Sequence, residues 1–277
     1  MPCRIAELLP SVESTRLGIK LKSFLCHKEN PIEKIMLKIR PALLLMVLAG
    51  LGHAFSQTTN TAAVPVPMTK PGWMERHESM NTKAKQGNID LIYIGDSIVQ
   101  RYEGVGKPVW DHYYAPRKAL NLGISGDRTQ HVIWRLDHGN IDGISPKLAI
   151  VMIGQNNGGH NTASEIAEGV TEVVKRIRAK LPNTKILLLG IFQRREKPTP
   201  ERAVLAEANE TISKLADSST LYYMDINSVF VQPDGTIPSS LMPDFEHPSE
   251  LGFKRWAEAI EAKVAELMGD LSISPMP

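Results

Sequence analysis

Cysteine is nearly missing from this 277-residue chain: Cys3 and Cys26 are the only two. From Met36 onward the chain can form no disulfide, thiolate metal site or cysteine nucleophile. Such a cysteine-free body is compatible with an oxidising compartment without requiring one. Long apolar runs are also scarce. The one uninterrupted stretch, Pro41 through Leu51, is too short to cross a bilayer comfortably. Aromatic residues make up 6% of the chain, and no internal repeat or low-complexity segment occurs. A basic surplus is missing where it would matter. The first 56 residues hold eight basic and four acidic side chains, which leaves 24 basic against 26 acidic in the rest. The body therefore lacks the electrostatic footprint of a nucleic-acid binder, and no nucleic-acid partner is expected.

What is present at the amino terminus has the form of a leader. Met36-Leu-Lys-Ile-Arg40 is a short basic start, Pro41–Leu51 is apolar, and Ala54-Phe55-Ser56 places small residues where a signal peptidase reads them. Residues 36–56 are read as a secretory signal peptide with cleavage before Gln57, an uncleaved anchor being the alternative. Residues 1–35 are read as an upstream mis-start or an extended n-region, with translation beginning at Met36. The mature protein is then expected to be secreted or periplasmic, with no stable membrane span after signal removal.

Residues 57–71, rich in Thr, Pro, Val and Ala without a period, read as a flexible tether. A lead-in helix is expected from Trp73 to Gln86. Strands are then expected at Ile89–Ile94, Lys118–Gly123, Lys147–Ile153, Lys185–Gly190 and Leu221–Asp225. Between and after them, helical spacing occupies Thr129–Leu136, Thr162–Leu181, Pro200–Ala216 and Pro248–Met268, the last with Leu251, Trp256, Ile260, Val264 and Leu267 on its apolar side. Strands alternating with helices predict a single α/β domain over residues 72–268: a three-layer sandwich around a mostly parallel, five-stranded, flavodoxin-like sheet. Residues 269–277 read as a disordered tail.

The chemically suggestive groups fall just after strands or just before the last helix. Ser97 follows Gly95-Asp96 at the end of the first strand, where open α/β sheets bind ligands. Gly126 follows the second strand and Asn156 the third. Asp244 and His247 lie three apart before the last helix, close enough for the carboxylate to fix the imidazole tautomer and leave the other ring nitrogen for a serine proton. Each has a plainer reading: a helix cap for Asp96 or Ser97, a turn residue for Asn156, an Asx-turn and a helix-entry position for Asp244 and His247 before an N1 proline. Asp96 is expected to bond backbone near its turn. His131, His138 and His160 have no evident partner, Trp110, Trp134 and Trp256 are assigned to packing, and Gln193–Lys197 reads as a solvated charged loop, the alternative being a segment that lines the substrate entrance.

Taken together, Gly95-Asp96-Ser97-Ile98, the Gly126 turn, Gly154-Gln155-Asn156-Asn157 and Asp244-Phe-Glu-His247 resemble, in order, the four sequence blocks of the SGNH (GDSL) hydrolase superfamily. Asn121–Leu136 is similar to the platelet-activating-factor acetylhydrolase catalytic subunits within it. The resemblance implies Ser97 as nucleophile, His247 as general base and then acid, and Asp244 as the residue orienting His247. It implies an oxyanion hole of the Ser97 and Gly126 amides and the Asn156 side chain, with no metal or organic cofactor. The sequence departs from the acetylhydrolase pattern at Ser125 (Gly is common), Gln155 (usually Thr) and Glu246 (usually apolar), positions expected to border the pocket.

The function expected is a serine esterase cleaving short acyl, foremost acetyl, esters of carbohydrates or small molecules. The alternatives are an acetylhydrolase of platelet-activating-factor-like phospholipids and, from another class, a non-catalytic carbohydrate-binding protein on the same fold. A homodimer, as in some relatives, stays open.

Overall fold

The computed structural model describes residues 59–277. The leader expectations for residues 1–35 and 36–56 lie outside the described residues. Five strands form one sheet: β1 (Leu91–Gly95), β2 (Ala119–Gly123), β3 (Leu148–Met152), β4 (Lys185–Leu189) and β5 (Leu221–Met224). All neighbours are parallel, in the order β2-β1-β3-β4-β5, the flavodoxin-like order expected. Every residue of β1 and β3 is buried. That explains why these strands read as unbroken apolar runs: a parallel sheet covered by helices has no solvent face to alternate with.

Among the described residues seven helices accompany the sheet: α1 (Trp73–Lys85), α2 (Ser97–Gln100), α3 (Lys107–Tyr113), α4 (Thr129–Asp137), α5 (Ala163–Lys180), α6 (Pro200–Ser213) and α7 (Glu250–Met268). One core joins the sheet to α1, α4, α5 and α6 through residues such as Trp73, Val132, Val170 and Leu205. The other joins it to α3 and α7 through Tyr93, Val109, Phe253 and Trp256. Capping marks the helix starts. Thr162 and Glu165 form a reciprocal box at α5, Thr199 accepts from Arg202 N–H at 3.3 Å at α6, and Ser249 accepts from Gly252 N–H at 3.1 Å at α7.

Four details differ from the sequence reading. Ser249, not Pro248, sets the start of α7, and Pro248 precedes that cap instead of occupying the first helical position. Leu251 is 44% exposed, because the buried stripe of α7 runs through Phe253, Trp256, Ile260, Val264 and Leu267, and at 100° per residue Leu251 falls on the opposite side. The segment preceding α1 makes specific contacts in place of a loose tether. Asn60 donates to the Glu165 carbonyl at 3.0 Å, Thr129 Oγ1 donates to the Ala62 carbonyl at 2.6 Å, and Ala62 is fully buried. After α7 the carboxyl-terminal residues also make contacts: Ile273 N–H donates to Glu261 at 2.7 Å and Met276 N–H to the Tyr113 hydroxyl at 3.2 Å.

The fold positions the site through its strand order. The chain leaves β1 for β2 on one side and returns from β2 to β3 on the other, so the loops after β1 and β3 diverge and open a crevice at their carboxyl ends.

Candidate active site

The tight turn after β1 depends on Gly95. A Cβ there would lie 2.4 Å from the Val99 side chain and 2.6 Å from the Met152 carbonyl oxygen, which β3 cannot withdraw. Asp96 then caps α2, its Oδ1 accepting from Ile98 N–H at 2.9 Å, as expected from sequence. Ser97 is thereby the first residue of α2, with its hydroxyl at the crevice.

The loop before α7 supplies the partner. Ser97 Oγ lies 2.9 Å from His247 Nε2, and His247 Nδ1 lies 2.8 Å from Asp244 Oδ2. Asp244 Oδ1 also accepts from the backbone N–H of Glu246 at 3.1 Å and of His247 at 2.7 Å, so one carboxylate organises the whole turn. Partial burial pushes the Asp244 carboxyl up, but the His247 N–H, the His247 ring and the Glu246 N–H outweigh it and hold the group below the usual carboxylate range. An ionised carboxylate only accepts, which places the imidazole proton on Nδ1 and leaves Nε2 to accept from the serine O–H. Phe245, between them, sits at φ 56°, a left-handed conformation that the surrounding bonds impose.

Gly126 adopts φ 89°, open to glycine and strained for other residues. Among the described residues its N–H has no hydrogen-bond partner within the protein, so it is available as a donor. The turn is held by Gln100, whose Oε1 accepts from Ser125 N–H at 2.7 Å. Asn156 is brought to the same place, but its amide is engaged: Nδ2 donates to the Asp127 carbonyl at 2.9 Å and to Asp96 Oδ2 at 3.3 Å. Turning one N–H toward a reacting oxygen would exchange the longer of these bonds.

The floor of the site carries two buried acids. Burial pushes the Asp96 carboxyl up to about 7, opposed by the Ile98 N–H and assisted by Asp127 and Glu246. Asp127 is also raised by burial, against the pull of Arg135 and the Trp73 indole, which bond it at 2.8 Å and 2.6 Å. Asp127 thus ties α4 and α1 to the loop that bonds Asn156.

A cleft of about 420 Å³ opens beside the serine, lined by Ser97, Gln100, Arg101, Glu103, Gly104 and Ser125. Of the three departures expected to border the pocket, Ser125 does. Gln155 is instead buried and donates to the Phe192 carbonyl at 3.2 Å, and Glu246 is turned to Arg194 at 3.0 Å. Sequence reasoning missed Gln100, the last residue of α2, and Arg101 directly after it, which sit one helical turn on from Ser97 and line the same cleft. It also left three histidines without partners. His131 accepts from Arg128 N–H at 3.0 Å, His160 lies 2.8 Å from the Arg128 guanidinium, and His138 stacks on Trp134. Among the described residues no cluster of three or more His, Cys, Asp or Glu side chains could hold a metal ion. No helix described is long and apolar enough to cross a membrane.

Known proteins carry the same arrangement of chain. The sequence model of the GDSL-like Lipase/Acylhydrolase family matches residues 93–255. The platelet-activating factor acetylhydrolase IB subunit alpha1 of Homo sapiens is 33% identical over 214 residues, 76% of this chain and 91% of that protein. The alpha2 subunit of Rattus norvegicus is 35% identical over 200 residues, 71% and 85% of the two chains. Among solved structures, a GDSL-like lipase from Bacteroides thetaiotaomicron aligns with TM-score 0.57 at 14% identity, covering 69% of this chain and 97% of that one. The acetylxylan esterase Axe2 from Geobacillus stearothermophilus aligns with TM-score 0.52 at 19% identity, covering 69% and 98%. A family match across more than half the chain, with relatives at this identity and coverage, means that the protein belongs to the GDSL-like lipase/acylhydrolase family of the SGNH hydrolases and is an ester-hydrolysing enzyme.

Proposed function

We propose that the protein is a serine esterase for short acyl, foremost acetyl, esters, acting through an acyl-enzyme on Ser97. The observation that carries this reading is the unbroken relay from Ser97 Oγ to His247 Nε2 and from His247 Nδ1 to Asp244 Oδ2, at 2.9 Å and 2.8 Å. In acylation His247 takes the serine proton as Oγ attacks the ester carbonyl, then returns it to the leaving alkoxide. Water, activated by the same imidazole, releases the acid and restores the serine. Asp244 keeps the ring in the required tautomer and stabilises the imidazolium. The developing oxyanion is met by the Ser97 and Gly126 N–H groups, with Asn156 joining by giving up its bond to Asp96. Each such donor is worth on the order of 3 kcal/mol of barrier. An acyl-enzyme burst on p-nitrophenyl acetate, lost in Ser97→Ala, tests the reading. A non-catalytic carbohydrate-binding role is disfavoured by an intact relay and would give no burst.

Two leaving groups are supported by different observations. An acetylated carbohydrate is supported by a cleft walled by Ser97, Gln100, Arg101, Glu103 and Ser125, whose side chains can hydrogen-bond sugar hydroxyls, and by a fold shared with an acetylxylan esterase. An acetyl phospholipid of the platelet-activating-factor type is supported by the acetylhydrolase relatives. Specificity constants on acetylated xylo-oligosaccharides against acetyl glycerophospholipids decide between them. The basic start at Met36–Arg40 and the apolar run to Leu51 support export from the cytoplasm, tested by the amino-terminal sequence of the native protein.

A further inference from the structure

Arg194, in the loop after β4, occupies a position that its sequence neighbourhood disguises. It lies within Gln193-Arg194-Arg195-Glu196-Lys197, which reads as a solvated charge run, yet its side chain is only 12% exposed. One end of the guanidinium donates from Nη1 to Glu246 Oε1 at 3.0 Å, and Nη2 donates to Glu201 Oε1 at the start of α6. The next residue adds a backbone clamp, Arg195 N–H donating to the Phe245 carbonyl at 2.7 Å. Glu246 and Phe245 are the two residues between Asp244 and His247. The turn that carries the imidazole is therefore gripped from inside by Asp244 and from outside by the 194–195 loop. Glu201 extends the grip: a Cβ on Gly158, in the loop that carries Asn156, would lie 2.9 Å from its Oε1.

From this geometry we propose that Arg194 is a positioning residue. Its ion pairs with Glu246 and Glu201 hold the His247 turn in register with Ser97 and couple it to the loop after β3. The proposal rests on the reading of Ser97 and His247 as nucleophile and base. Two observations distinguish it from a general stabilising pair. Burying a guanidinium is costly, and here Nε is buried with no partner among the described residues, an arrangement that apolar packing would improve on if stability alone were served. The pair also reaches the turn at Glu246, a residue outside the Ser97–His247–Asp244 relay, so it acts on that relay as a separate device. Phe245 at φ 56° shows what the device opposes: without outside contacts the turn would relax toward a less strained backbone, and the ring would move with it.

The test uses the full-length protein on p-nitrophenyl acetate, with active sites counted from the burst so that kcat refers to competent enzyme. Arg194→Gln and Glu246→Gln should each lower kcat about 10- to 100-fold, the range for a catalytic group displaced by a fraction of an ångström to an ångström. KM should stay within about twofold, and inactivation by an organophosphate, which reports Ser97 reactivity directly, should slow in parallel. The double variant should be no worse than the poorer single one, because a pair broken once cannot be broken again. Arg194→Lys, which keeps the charge but reaches one carboxylate, should fall between wild type and Arg194→Gln. Unchanged kcat per active site in Arg194→Gln overturns the proposal, as does a double-variant loss equal to the product of the singles. If Arg194→Gln does not fold, Glu246→Gln decides alone, since it leaves the Arg194–Glu201 pair in place. Full activity in Ser97→Ala would instead overturn the function on which the proposal rests, so the two failures are distinct.

Discussion

Ser97 and His247 are 150 residues apart in the chain and 2.9 Å apart in space. The contact exists because β1 is an inner strand of the sheet and α7 packs against the face next to it, Trp256 of the helix lying against Tyr93 of the strand with ring centroids 5.7 Å apart. The sheet edge and the helix start are thereby brought to one crevice, and the chemistry of the site depends on that packing.

Replacing Ser97 by Ala removes the proposed nucleophile while leaving the fold untouched, since among the described residues the hydroxyl's one polar partner is the His247 ring. Esterase activity should fall by about 10⁴-fold or more with little change in melting temperature. Residual turnover showing wild-type burst kinetics would place the nucleophile elsewhere.

Asp244→Asn keeps the shape of the turn but offers an amide where a carboxylate fixed the ring. The Asn Oδ1 can still accept from the backbone of Glu246 and His247. The second position becomes ambiguous, and the tautomer with Nε2 as acceptor is no longer enforced. Because Asp244 is 49% exposed, water can partly substitute, so the loss in kcat should be on the order of 10²-fold, smaller than for a buried orienting carboxylate. His247→Ala, which removes the proposed base itself, should cost more activity than Asp244→Asn.

Gly126→Ala and Asn156→Ala probe two of the three proposed oxyanion donors in different ways. At Gly126 a methyl group would find Met68 no closer than 3.5 Å, so the penalty is backbone strain at φ 89° rather than a clash, about 1 kcal/mol of stability. The turn should shift, and kcat should drop with KM nearly unchanged. Asn156→Ala deletes a side chain that in the resting protein bonds Asp127 and Asp96, and kcat should fall about 10²-fold if that amide turns to the transition state. An Asn156→Ala enzyme within threefold of wild type would leave Asn156 a structural linker only.

Asp96 gives a prediction about stability and pH. Its carboxyl stands at about 7 in the folded protein against 3.8 ordinarily, so across that interval the folded state keeps a proton that the unfolded chain releases. Stability from this group is whole below about pH 4 and lost as the pH rises through 7, with a ceiling of about 4 kcal/mol. Asp96→Asn cannot ionise and keeps an oxygen for the Ile98 N–H. Relative to wild type it should therefore gain stability steadily between about pH 4 and pH 8 in urea unfolding. An unchanging gap between the two proteins across that range would show that Asp96 ionises as an ordinary carboxyl.

Much of the fold was legible because its strongest signals are local. Fully buried parallel strands must be continuous apolar runs, and β1, β3 and β4 could hardly be read otherwise. Apolar residues at helical spacing announced α5 for equally local reasons. Helix α3 was not foreseen: Lys-Pro-Val-Trp-Asp-His-Tyr is too short and too mixed to show a period, and Val109 and Tyr113 become its inner side only because Tyr93 and Trp256 are there to receive them. The segment ahead of α1 misled for a related reason. Its composition is that of a linker, yet Ala62 is small enough to lie where Gly169 leaves room, its carbonyl oxygen 2.7 Å from where a Cβ on that glycine would be.

The sequence by itself determined the type of the longer elements, the order of the four loop blocks and the chemically suggestive side chain in each, because spacing and side-chain type along one strand or turn are local properties. Only the tertiary structure decided how those groups meet: that Asn156 rests against Asp96 and Asp127, that Gln155 is sealed under Phe192, and that Arg194 grips Glu246 across 52 residues of chain. A charged or amide side chain has the same letter whether it faces water or a partner. Its role is settled by which other loop the packed sheet and helices bring within about 3 Å of it.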